Sequence, residues 1–248
     1  PDLFGPTMAR MAATGFPLRL FGESARWATA AESHANRFDT ARRLSALAND
    51  MRFRWSRNWH DAALRRPSAY ARLQQSPEIR AEFSVIAETV PDPEPVFIAR
   101  QLAYTEARGT QHALAVVAYW LDNNLYPRAL AATRPRYLPQ LTADPFDPDR
   151  DLGREPPFQY FVPMRDQAAL FAPNEEITPH EIVIVVPDQA NFSIRLRDDQ
   201  FVVYSVGGDG TPQFAREVEN THNAARGRDY LIWPPVLTFV RDDLVQRQ

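Results

Sequence analysis

FVVYSVGGDG, residues 201 to 210, is apolar and β-branched for six positions and then breaks into Gly207, Gly208, Asp209 and Gly210. The run reads as a strand and the break as the turn that ends it. Glycines supply positive φ at such a turn and Asp209 can accept from nearby amides, so the turn needs no ligand to explain it. Upstream, FSIRL (192 to 196) alternates Phe192, Ile194 and Leu196 with Ser193 and Arg195, the pattern of a half-buried antiparallel strand. Arg197 to Gln200 is short enough to join these two strands as a hairpin. FQYFV (158 to 162) and IVIVV (182 to 186) are the other strand-like segments.

The first half of the chain has a different period. From Glu23, the residues Trp27, Ala31, Ala35, Phe38, Ala41, Leu44, Leu47 and Met51 recur every three or four positions, which predicts an amphipathic helix with one buried stripe. Ser76-Pro77-Glu78 reads as an N-cap, a proline at the first helical position and an acid in the first turn, opening a helix through about Thr89. PDPEP, residues 91 to 95, ends it. A longer helix is expected from about Val96 to Asn124, with Leu102, Ala113, Leu114, Val117, Trp120 and Leu121 on one side and Gly109 weakening its middle. Helices first and strands second argue for an α+β fold, a helical N-terminal region followed by a long helix packed on a small antiparallel sheet. The expected regions are 1–95, which includes an apolar arm over residues 1 to 22, and 96–248.

Composition narrows the function classes. The 248 residues are 44% hydrophobic and 24% charged, and a net charge of -3 provides no overall field for nucleic acid, which is not an expected partner. All 28 basic residues are arginine, which a GC-rich coding bias explains without arginine chemistry. The absence of cysteine excludes disulfides, thiolate metal sites and cysteine nucleophiles. No apolar run approaches the length of a spanning helix. The chain begins at Pro1, and the expectation is a processed or trimmed product whose membrane association runs through an N-terminal anchor outside it or through a partner.

ALAVVAYWLDNNLYPRALAATRPRYLPQLTADPFDP, FQYFV, DDQFVVYSVGGDG and RDYLIWPP follow one another between about residues 113 and 235. In that order they resemble the soluble half of major pseudopilins of type II secretion systems. They are closer still to planctomycete-type proteins that place a similar block after a helical region. The shared features are a helix ending in Tyr126-Pro127, a loop through Asp144-Pro145-Phe146, an aromatic strand and a YSxGxDG turn. The resemblance implies a non-catalytic, extracytoplasmic subunit that meets protein partners in an envelope-associated assembly. It also implies calcium held by acids of the loop after the turn, where Asp209, Glu217, Glu219 and Asp229 are the candidates. Two departures stand out: about a hundred residues of helical sequence replace the membrane helix, and residues 163 to 190 look inserted.

Read without the resemblance, the sharpest metal-like spacing is Asp147, Asp149 and Asp151, three alternating carboxylates on one loop. It starts like a calcium loop, but Gly153 falls one position late and Phe158 stands in the place of the bidentate acid. The competing reading is a solvated loop whose acids pair with Arg150 and Arg154. Histidines 34, 60, 112, 180 and 222 form no paired motif and are expected as polar side chains facing water. A metal-dependent hydrolase using the acid triplet with His180 or His222 is the enzymatic alternative, and a calcium-stabilised binding module is the other. Arg52, Arg54 and Arg57 near Trp55 and Trp59 can meet an anionic surface or stack on the indoles of a solvated helix.

Overall fold

The computed structural model describes Ser24, Ala28 and residues 34–149, 157–166, 180–185, 191–196, 200–219 and 227–236. The N-terminal arm, Asp151 and His222 lie outside these residues. The chain divides into two compact units, one of residues 1–57 and 62–93, the other of 58–61 and 94–248.

In the first unit α1 (Arg37–Trp55) is opened by Asn36, whose side chain accepts from the amides of Phe38 and Asp39. This cap corrects the expectation of one helix running on from Glu23, because residues 34–36 are not helical. The expected stripe is also corrected: Leu47 is its buried member, while Phe38 and Leu44 are exposed. Ser68 caps α2 (Ala69–Gln75) and Ser76 caps α3 (Pro77–Glu82), with proline at the first turn as expected. Phe83 then interrupts the helix, and α4 (Ser84–Thr89) completes the bundle. Leu47, Leu73, Phe83 and Ile86 form its core.

The second unit is built on α5 (Glu94–Asn123) and two three-stranded sheets. In the first sheet β1 (Gln159–Phe161) and β6 (Tyr230–Trp233) flank β4 (Val202–Ser205), all antiparallel. In the second, β2 (Glu181–Ile184) pairs antiparallel with β3 (Phe192–Arg195) and parallel with β5 (Glu217–Val218). Helices against small, mostly antiparallel sheets make this an α+β protein. The hairpin expected between β3 and β4 does not form, since the two strands belong to different sheets.

Burial explains the parting. Every residue of β4 is buried, and a strand with no solvent face needs cover on both sides. Val203 packs with Ala113 and Val116 of α5, while Val202 and Tyr204 pack with Ile182 and Ile184 of β2. The first sheet is therefore a middle layer, between the long helix and the second sheet.

The side of α5 that meets the sheet is its small-residue side. Gly109, His112, Ala113, Ala115 and Val116 are buried; of the residues expected together on one side, Ala113 and Val117 pack toward the sheet while Leu114, Trp120 and Leu121 are exposed. Gly109 explains the close approach: a Cβ there would lie 2.1 Å from Ile232 Cδ1 and 3.0 Å from its Cγ1. The glycine allows the helix backbone to settle directly on β6, which is worth more here than helix propensity. Gly109→Ala is expected to lower stability by about 1–3 kcal/mol through overpacking, despite alanine's advantage of roughly 1 kcal/mol in a helix. Ile232→Val, which removes the clashing methyl, is expected to recover part of that loss, as read by urea denaturation of the single and double variants.

Candidate functional site

The DPF loop and the glycine turn singled out in the sequence meet at one end of the middle sheet. Asp144 is buried and its carboxylate joins them: Oδ1 accepts from the Phe146 amide at 3.0 Å and the Ser205 hydroxyl at 2.8 Å, and Oδ2 from the Val206 amide at 3.0 Å. Ser205 Oγ in turn accepts from the Gly207 amide at 3.3 Å. Gly207 and Gly210 have positive φ, 67° and 69°, as expected of turn glycines, while Gly208 does not. A Cβ on Gly210 would lie 2.7 Å from Pro148, which shows how closely the two loops approach.

Trp59 and His60 close the same end. The Trp59 ring packs edge-on against Phe146, its Nε1–H donates to the Gly208 carbonyl at 3.4 Å, and His60 Nε2 bonds the Phe146 carbonyl at 2.8 Å. Gln101 of α5 donates to the Pro145 carbonyl at 2.8 Å. His112, expected at the surface, is fully buried, with Nε2 3.2 Å from the Thr142 amide and 3.0 Å from its hydroxyl. Burial lowers its pKa, so a neutral ring serves as a packing and hydrogen-bonding piece.

A second buried carboxylate holds the chain beyond the turn. Asp229 Oδ2 accepts from the amides of Gln213 at 3.0 Å and Ala215 at 2.8 Å. Between those donors Phe214 and Ala215 have φ of 58° and 51°, a left-handed pair that side chains disfavour. His180 and Tyr204 both hydrogen-bond to the backbone of Phe214, and the His180 ring packs against Phe161. His180 is thus buried, contrary to its expected surface place. Among the described residues its Nε2 and Asp229 Oδ1 have no hydrogen-bond partner.

The four acids named for calcium each meet a protein donor. Asp209 accepts from the Thr211 amide and from Gln213 Nε2, both at 2.9 Å. Arg228 bridges Glu217 at 3.1 Å and the buried Glu219 at 2.9 Å, which sets a guanidinium between two of the candidates. Within the acid triplet, Asp147 Oδ1 accepts from the Asp149 amide at 2.9 Å in a local turn, and the charge that acts on Asp147 from a histidine is that of His60, not His180. Among the described residues no three acids or histidines are grouped to hold a metal ion, and Asp151 lies outside them. No described helix is long and apolar enough to cross a membrane.

Desolvation dominates the electrostatics. It pushes Asp144 up to about 6 against three hydrogen bonds, and Asp229 up to about 7, with the charges of Asp209 and Asp144 adding to it. His180 is pushed down to about 4 by burial and by Arg216. Among these groups the sequence marks Asp144 only as a pre-proline residue and His112 only as polar; Asp229 and His180 are named there for different roles, calcium and hydrolysis. Their one legible sign was position, each beside a turn or among apolar residues. No protein-family model, curated protein or solved structure matches the chain.

The shifts have a definite sign. A carboxyl with a raised pKa holds a proton in the folded chain that the unfolded chain releases, so the stability from Asp229 is complete below about 3.8 and is lost as pH rises through about 7. His180 works the other way, its contribution lost as pH falls from 6.5 through about 4. Above pH 6.5, where the histidines no longer oppose it, Asp229 should make the melting temperature fall with pH. Asp229→Asn keeps a carbonyl for both amides and is expected to flatten that fall between pH 6.5 and 8, measured by calorimetry. Asp144→Asn turns an NH₂ toward donors and is expected to cost about 1–3 kcal/mol.

Proposed function

We propose that this protein is a non-catalytic structural subunit of a larger, envelope-associated assembly outside the cytoplasm, docking through the outer side of α5. The observation that carries the reading is the apolar pair on that side, Leu114 at 57% exposed and Leu121 at 64%, with Leu125 just past the helix end at 55%. Ala107, Leu114 and Leu121 recur every seven residues, the spacing of a seam for another helix. Trp120, also exposed and stacked on Tyr126, borders the row. A run of large apolar side chains turned outward while alanines and a glycine face the core is the composition of an interaction surface.

The work done by the acids supports the same reading. Asp144, Asp229, Glu217 and Glu219 hold backbone or an arginine, which are tasks of architecture. The envelope location rests on the pseudopilin resemblance of residues 113 to 235. A calcium-stabilised binding module is the second reading, favoured by the mutual influence of the Asp144, Asp209 and Asp229 charges at one sheet end. A rise in melting temperature with Ca²⁺, without turnover, distinguishes it.

The test is purification from native cells under mild conditions with quantitative identification of bound chains. Stoichiometric partners are expected, and the Leu114→Glu/Leu121→Glu variant, folded by circular dichroism, is expected to lose them. Recovery of the wild-type chain as a lone monomer overturns the proposal.

A further inference from the structure

The helical unit and the sheet unit carry opposite charge. Residues 1–57 and 62–93 contain thirteen arginines and nine acids, a net +4, while 58–61 and 94–248 contain fifteen arginines and twenty-two acids, a net -7. The overall -3 conceals a basic module.

Within that module a cavity of about 500 Å³ opens between the end of α1 and the start of α2, lined by Asp50, Phe53, Arg54, Arg66, Pro67 and Arg72 among others. Its floor is built. Asp50 Oδ2 accepts from Arg54 Nε and from the Ala69 amide, both at 3.0 Å. The rest of the Arg54 fork donates to the carbonyls of Leu64 at 3.5 Å and Arg66 at 2.6 Å, which fixes the intervening turn against α1. Asp50 thereby neutralises Arg54 and nothing more. Arg66 and Arg72 are exposed at the rim, and neither makes an ion pair among the described residues. The lining therefore keeps two positive charges uncompensated, while Phe53 and Pro67 provide an apolar wall.

We infer that this cavity binds a small organic phosphate monoester. A phosphate monoester carries close to two negative charges at neutral pH and offers the oxygen geometry that guanidinium forks bind in pairs. Arg66 and Arg72 hold the phosphate, and the organic group lies on Phe53 and Pro67. The volume lies in the range of small-molecule sites and exceeds what an inorganic ion fills. Arg54 acts as a positioning residue, since it holds the Arg66 backbone in place.

Calorimetric titration of the full chain with phenyl phosphate, inorganic phosphate and benzyl alcohol tests this. Phenyl phosphate is expected to bind saturably and at least about fivefold more tightly than inorganic phosphate, because only it uses the apolar wall; benzyl alcohol is expected not to bind. Arg66→Gln/Arg72→Gln removes surface side chains and leaves the Asp50–Arg54 floor intact; it is expected to weaken phenyl phosphate at least about tenfold. Arg80→Gln, an arginine paired with Glu88 away from the cavity, is expected to bind as the wild type does. Absence of saturable binding overturns the inference. So does equal affinity for the two phosphates, or binding that survives loss of Arg66 and Arg72.

Discussion

A strand buried on both faces has no water to receive its backbone where the sheet pairing stops. β4 is such a strand, and the amide of Val206, just past its last paired residue, goes to the carboxylate of Asp144. That one acceptor group also takes Ser205 and Phe146, so the end of the central strand and the DPF loop are a single hydrogen-bonded object. Phe146 can then lie under Trp59, and the loop carbonyls can receive His60 and Gln101. The electrostatic cost is evident in the elevated pKa of the acid, and the hydrogen bonds partly offset it.

The same layering dictates the character of α5. A helix can lie close to a fully buried strand only if its contact side is small, and Gly109 against Ile232 is the closest point of that contact. Once alanines and glycine are assigned to the core, the large residues of the helix have only the outer side left. The exposed leucines are thus geometrically linked to the close packing on the other side.

Charge follows a comparable division of labour. In the sheet unit the acids hold turns, and Arg228 serves as the internal cation between Glu217 and Glu219. In the helical unit arginines outnumber acids, and Asp50 is engaged by Arg54 and the Ala69 amide. Arg66 and Arg72 remain outward there. The sheet unit thus shows exposed leucines and the helical unit a cavity rimmed by arginines, two chemically distinct surfaces.

Local chemistry made part of this legible in the sequence. Ser76-Pro77 announced a helix start because capping is decided within one turn, the glycine-rich break marked a turn because φ is a single-residue property, and the order of helices and strands implied α+β. Other features depend on which surfaces meet. Periodicity shows that α5 has two unlike sides but not which one the sheet selects, since that choice rests on the closeness Gly109 permits. Residues 197 to 200 are short enough for a hairpin, yet β4 is drawn into the middle layer because both of its faces are apolar. Asp144, His112 and Asp229 look like surface residues in one dimension, because the groups that bury and bond them come from segments far along the chain. Folding brings those segments together, and only there does a carboxylate become a clamp.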